Sequence, residues 1–155
     1  MRILLKFVLD CEPDAAWRAI RSPVVFAAVS SPFTTFKSLE PEGFPETWPE
    51  GPHQIEGRAF GILPAGRQFI DLSFEERDGV RLMHDSGGGV SGPLALITRW
   101  HHTMAIAAAP GGRTLYRDQL VFGAGALTLA VWPALWAFWQ WRGLRLRSLA
   151  QGWRA

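Results

Sequence analysis

The sequence predicts an α+β domain: an antiparallel sheet of about six to seven strands, two short helices after the first strand, and one long C-terminal helix. Three observations carry this. Apolar and polar residues alternate in run after run, as they do in strands that bury one face. Short turns such as Pro110-Gly111-Gly112 join neighbouring runs, which suits hairpins and so antiparallel pairing. The last apolar stretch, QLVFGAGALTLAVWPALWAFWQW from Gln119 to Trp141, is far longer than a strand and gives way to WRGLRLRSLAQGWRA.

Taken in order, Ile3, Leu5, Phe7 and Leu9 alternate with Leu4, Lys6, Val8 and Asp10 to make the opening strand. Glu12-Pro13-Asp14 begins a helix, with proline at its first position and acid in its first turn, and Trp17 and Ile20 form its buried side. Ser22-Pro23 interrupts it, and VVFAAVSSP makes a second short helix, ended before Pro32. Phe33 to Glu40 is a strand. The Pro/Gly-rich connection from Pro41 to Gln54 is long for a structureless loop, which points to function or mobility. Ile55 to Leu63 is a strand broken at Pro64-Ala65-Gly66. Gln68, Ile70, Leu72 and Phe74 mark the next, which turns at Arg77-Asp78-Gly79 into Val80 to Asp85. The segment SGGGVSGP bends the chain before a long strand, Leu94 to Ala108, whose hairpin partner is Arg113 to Phe122. Helical structure runs from about Leu127 to Gln151. No repeat or linker divides the chain, so residues 1–155 make one domain.

The uncharged stretch admits two physical explanations: a membrane span with an arginine-rich flank, or a helix that closes a hydrophobic cavity. Glycines at 123 and 125 and Pro133 interrupt it, and the preceding strand uses Gln119 to Phe122. That leaves about 16 to 19 apolar helical residues, at the lower limit for a span. A mean hydropathy of +0.04 is also low for a chain dominated by membrane. The cavity-closing helix is therefore preferred, with membrane contact as the lesser reading. Trp132, Trp136 and Trp139, at i, i+4 and i+7, share one helical face and form its inner side. Arg142, Arg145, Arg147 and Arg154 follow. Cations near a helix end complement its dipole, and a phosphate or anionic-lipid role is the lesser alternative.

A net charge of +2 with scattered basic residues does not suit nucleic-acid binding. Cys11 is the only cysteine, so there is no disulfide framework and a reducing compartment is allowed. MRILLKFVLD lacks the long apolar core of a secretory signal, and the expected location is the cytoplasm. SGGGVSGP lacks the GxxxxGK[ST] phosphate loop, no GxSxG elbow is present, and the four histidines do not form a metal motif. No cofactor is expected.

CEPDAAWRAIRSP, EGRAFGILPAGRQF, TRWHHTMAI followed by GGRTLYRDQLVF, and the terminal WRGLRLRSLA together resemble the START/SRPBCC superfamily, the helix-grip proteins that include polyketide cyclases, lipid-transfer domains and birch-pollen-allergen-like proteins. The order and spacing of these segments carry the resemblance over nearly the whole chain, with Trp100, His101, His102 and Asp118 in matching places. The last helix departs from the pattern in being more apolar, richer in tryptophan and interrupted by Pro133. The resemblance implies a curved antiparallel sheet around the C-terminal helix with a cavity between them. It also implies sterol, lipid, polyketide or hormone ligands and, in some members, cyclisation or dehydration chemistry. Such a fold does not fix function.

Strand alternation puts Trp100, His102, Met104 and Ile106 on one face, and Tyr116, Asp118, Leu120 and Phe122 on one face of the next strand. If both faces are inward, His102, Tyr116 and Asp118 meet, which requires an odd hairpin loop or a bulge. His102 and Asp118 are then the candidate acid/base pair, although two buried polar groups also simply satisfy each other. The candidate cavity lining is Phe60, Ile62, Ile70, Leu72, His84, Trp100, Met104, Tyr116, Phe122, Trp132 and Trp136. His84 is placed inward with Val80 and Leu82, and Asp85 outward or in the turn. Arg99 and Arg117 are possible ligand-carboxylate partners at the mouth, with Arg117 better placed in solvent. The leading function is binding of a small hydrophobic ligand such as a lipid, sterol or aromatic polyketide-like compound. The alternatives are a cyclase or dehydratase-type enzyme and a membrane-associated protein, and a homodimer is allowed.

Overall fold

In a computed structural model that describes residues 1–153, the chain forms one curved antiparallel sheet with three helices; Arg154 lies outside the described residues. The elements are β1 (Arg2–Leu9), α1 (Pro13–Ile20), α2 (Pro23–Ser30), β2 (Thr34–Ser38), β3 (Gly51–Ala59), β4 (Leu63–Arg77), β5 (Val80–Asp85), β6 (Gly88–Gly89), β7 (Arg99–Ala109), β8 (Arg113–Gly123) and α3 (Thr128–Ala150). The sheet order is β1-β8-β7-β5-β4-β3-β2, with the two-residue β6 paired to β4.

The inner face of the sheet follows from alternation. Ile3, Leu5 and Leu9 of β1 are buried, as are Ile70 and Leu72 of β4, Met104 and Ile106 of β7, and Tyr116, Leu120 and Phe122 of β8. The β7–β8 hairpin pairs Ala109 with Arg113, so its loop is the three residues Pro110, Gly111 and Gly112. An odd loop puts even-numbered residues of both strands on one face, and Met104 lies opposite Asp118 and Ile106 opposite Tyr116.

Two segments differ from the sequence expectation. The strand expected from Leu94 begins only at Arg99, because Gly92–Leu96 coils into a 3-10 turn packed on β4. The Pro/Gly-rich connection is structureless only to Glu50, since Gly51–Gln54 join β3. Trp48 pins that connection. It is 2% exposed, its N–H donates to the Arg21 carbonyl at 2.8 Å, and its ring meets Phe26, Phe44 and His53.

Glycine permits the close approach of the bend to β4. Gly66 has φ +116, and a Cβ there would lie 1.9 Å from the Ser91 carbonyl oxygen. Gly66→Ala is therefore expected to cost at least about 2 kcal/mol in a urea denaturation, because two backbones must separate. Gly79, at φ +73 with nothing near its missing Cβ, makes the control. Gly79→Ala should cost only about 1 kcal/mol of left-handed strain. Equal losses at the two sites would refute the close-approach account.

Gln119–Gly123 of the uncharged stretch belong to β8, and Gly125 at φ +55 turns the corner. The Thr128 hydroxyl closes that corner by donating to the Gly125 carbonyl at 2.7 Å and accepting from the Ala124 N–H at 2.9 Å. The helix α3 then runs unbroken past Pro133. Its buried stripe is Trp139, Gly143, Leu146 and Ala150, all in its second half. Gly143 lets the helix settle on β1, since a Cβ there would meet Leu5 at 3.0 Å and Phe7 at 3.3 Å. No helix among the described residues is long and apolar enough to cross a membrane.

Candidate functional site

Between the sheet and α3 lies a cavity of about 720 Å³. Its sheet wall is Ile70, Leu72, Met83, Trp100 and Met104, and its lid is α3 from Val131 to Leu146. Before Trp139 no residue of α3 is fully buried: Val131, Trp132, Leu135 and Phe138 pack only partly against the Ile3, Leu5, Leu120 and Phe122 cluster, and the cavity lies beside the same stretch. Trp48, Phe26 and Phe36 close the end near α2. Trp141 ties the lid to that end by donating its indole N–H to the Ser31 carbonyl at 2.8 Å.

One carboxylate organises the polar part of the cavity. Asp118 is 2% exposed. Its Oδ1 accepts from His102 Nε2 at 2.9 Å and from Trp139 Nε1 at 2.8 Å, and its Oδ2 accepts from the Tyr116 hydroxyl at 2.9 Å. Burial pushes the Asp118 pKa up. The His102 ring, the positive charge of Arg142 and the Trp139 N–H outweigh that and hold it at about 2, below its ordinary 3.8. Tyr116 is driven the other way: burial, then the neighbouring Asp118 charge, raises its pKa well above the usual phenol value. Asp118 is thus an ionised acceptor and Tyr116 a permanent donor. Nε2 carries the hydrogen given to Asp118, and Nδ1, a lone pair in the neutral ring and an N–H in the charged one, has no hydrogen-bond partner among the described residues. That arrangement can accept a proton or a hydrogen bond from a bound molecule.

A second carboxylate, Asp85, also reaches the cavity. Its Oδ1 accepts from the Asp71 and Gly87 N–H groups at 3.1 and 2.9 Å, and its Oδ2 accepts from Trp100 Nε1 at 2.9 Å. These bonds fix the bend after β5 and hold the Trp100 ring against the wall.

Of the residues named from sequence, Ile70, Leu72, Trp100, His102, Met104, Tyr116, Asp118 and Trp136 line the cavity. Five do not. Phe60 and Ile62 sit in the β3–β4 turn, 61% and 73% exposed, because the strand expected to run through to Leu63 ends at Ala59. Phe122 is wholly buried, packed with Ile3, Leu5, Leu120 and Trp139. Trp132 belongs to the rim of that same cluster and stacks toward Trp136 at 6.3 Å. His84 is on the outer face, opposite Thr103, whose hydroxyl is 3.0 Å from its Nδ1; its ring stacks on His101 at 5.7 Å. The inward residues of β5 are instead Met83 and Asp85, so the expectation for Asp85 is corrected with that for His84. Val80, Leu82 and His84 looked the more apolar set only because the inward set ends in Arg81 and Asp85. Arg81 is held by Asp14 at 2.7 Å and lies over Trp17, and Asp85 has the partners just described.

Sequence reasoning missed Trp48, Asp85 and Arg142 as lining residues. A tryptophan between prolines in a polar connection was the available signal for Trp48. Nothing local marked the other two. Among the described residues no group of three or more His, Cys, Asp or Glu is placed to hold a metal ion.

No protein-family model matches the chain, and no curated protein matches it. Solved structures do. A Chromobacterium violaceum protein of structural-genomics origin is 18% identical with a TM-score of 0.63, and the match covers 96% of each chain. A norcoclaurine synthase point mutant from Thalictrum flavum, in complex with a transition-state analogue, is 8% identical with a TM-score of 0.65, covering 98% of this chain and 94% of that one. The KanY protein is 11% identical with a TM-score of 0.60, covering 97% of each. At these identities the likeness is one of fold, and it spans the whole sheet and the long helix. The chain therefore shares the fold of these structures, a curved antiparallel sheet gripping a long C-terminal helix, which is the helix-grip arrangement that the sequence resemblance implied.

Proposed function

We propose that the protein binds a small, mainly hydrophobic molecule between its sheet and α3, with the Asp118-centred group orienting it. The cavity of about 720 Å³ carries this reading. It falls in the size range of small-molecule sites, and its wall is apolar apart from a few converging polar groups. A ligand burying about 300 Å² of apolar surface would gain about 7 kcal/mol before the costs of association, which reduce the net affinity. The cytoplasmic setting expected from sequence is part of this proposal.

Titration with the neutral fluorophore N-phenyl-1-naphthylamine is expected to saturate at one per chain, and native mass spectrometry of gently purified protein is expected to retain or accept one apolar molecule. Absence of both would overturn the proposal.

A second reading, an acid/base enzyme of the cyclase or dehydratase type, is supported by the free Nδ1 of His102 at the cavity wall. The transition-state analogue held by the norcoclaurine synthase shows that one protein of this fold is a synthase. On this reading His102→Gln eliminates turnover of a polyketide-like substrate while N-phenyl-1-naphthylamine still binds.

A further inference from the structure

We propose that the cavity's ligand carries a carboxylate, and that Arg142 is the residue that holds it. This rests on the cavity being a ligand site. Arg142 is the only lysine or arginine on the cavity wall among the described residues. Its guanidinium lies over the Trp139 ring, with Cζ 4.8 Å from the centroid, and over Phe138 at 5.9 Å. No ion pair or hydrogen bond among the described residues engages it, and its Nε is buried without a partner.

The cavity's own carboxylates are already committed. Asp85 accepts from two backbone N–H groups and Trp100, and Asp118 accepts from His102, Tyr116 and Trp139. Neither lies within ion-pair distance of Arg142, although its charge still reaches Asp118 through the low-dielectric wall. A helix-dipole role does not account for it either. Arg142 stands two turns before Ala150, where α3 ends, and the dipole effect is confined to the last turn. Arg147 is the basic residue in that turn, and it lies over Phe7 at 4.2 Å.

A half-buried guanidinium held on an aromatic face at the edge of an apolar cavity, with no ion pair of its own among the described residues, is stabilised when an anion joins it. A carboxylate matches the guanidinium fork with two parallel hydrogen bonds. A phosphate dianion would call for more than this single charge, and an amine has no uncommitted carboxylate to meet. The ligand class is therefore an apolar chain or ring system with one acid group.

The test compares dodecanoic acid, methyl dodecanoate and dodecanol, and 1-naphthoic acid with its methyl ester, by calorimetric titration at pH 8. In the wild-type protein at least one acid should bind about tenfold or more tighter than its ester. Arg142→Gln should remove that preference by weakening the acid alone, and Arg142→Lys should restore part of it. Arg145→Gln, whose residue is off the cavity wall, should change nothing. Equal binding of acids and esters to the wild type, or an acid preference that survives Arg142→Gln, overturns the assignment while leaving the cavity reading intact. Failure of all five compounds and of N-phenyl-1-naphthylamine to bind overturns the cavity reading, and this inference with it.

Discussion

Asp118→Leu is expected to destabilise the protein by at least about 3 kcal/mol, among the largest losses available from a single substitution. Among the described residues the carboxylate is the sole hydrogen-bond partner of three buried donors: His102 Nε2, the Tyr116 hydroxyl and Trp139 Nε1. Removing it leaves all three unsatisfied, each at about 1–3 kcal/mol if nothing relaxes. Asp118→Asn should cost less than Leu, because one oxygen still accepts, but its amide then faces a donor. Urea denaturation at pH 7 with an unchanged m-value measures both. A loss under about 1 kcal/mol for the leucine variant would show that the network does not hold the fold.

The same group sets an acid dependence. Its folded pKa of about 2 is below the ordinary 3.8, so ionised Asp118 stabilises the folded state. That contribution is fully present above the unfolded value and is lost as pH falls from about 4 through about 2, amounting to about 2 kcal/mol. Asp118→Asn should flatten this part of the stability–pH curve. An identical slope in wild type and variant between pH 4 and pH 2 would contradict it.

Trp139→Ala is expected to cost about 3–5 kcal/mol, the range for deleting a fully buried aromatic. Trp139 is 1% exposed and links three layers of the site. Its edge meets His102 at 5.4 Å and Trp100 at 5.8 Å, its N–H reaches Asp118, and its face carries Arg142. Trp139→Phe keeps most of the ring volume and removes the N–H, so its loss should be near 1–2 kcal/mol. Because Trp139 and Asp118 share a hydrogen bond, the Phe and Asn substitutions should be non-additive in a double-mutant cycle, by about 0.5–3 kcal/mol. Additive losses would mean the indole contributes by packing alone.

How far the site could be read from sequence varied from residue to residue. His102, Tyr116 and Asp118 were legible because they lie on two long alternating strands joined by a short loop, where parity decides the face. The His84 face was misread because the inward side of β5 is flanked by Arg81 and Asp85. Their charges are satisfied by Asp14 on α1, by the bend's backbone and by Trp100, none of them adjacent in sequence. The tryptophan stripe at 132, 136 and 139 was a correct helical face, but a face does not say what lies beneath each turn. Trp139 is wholly buried between the cavity and the Ile3–Phe122 cluster, Trp136 is half exposed at the cavity edge, and Trp132 lies at the rim of that cluster.

Sequence alone determined the α+β class, the element order, the hairpin before α3 and the division of the uncharged stretch into strand, glycine corner and helix. Each of these is a local matter of period, turn chemistry and proline or glycine placement. Only the tertiary structure decided which carboxylates are buried and committed, that Trp48 closes one end of the cavity, and that Arg142 stands on its wall with no ion pair or hydrogen bond among the described residues. Those facts depend on neighbours brought together by strand register and by the tilt of α3 over the sheet, and hydrophobic periodicity carries no record of them.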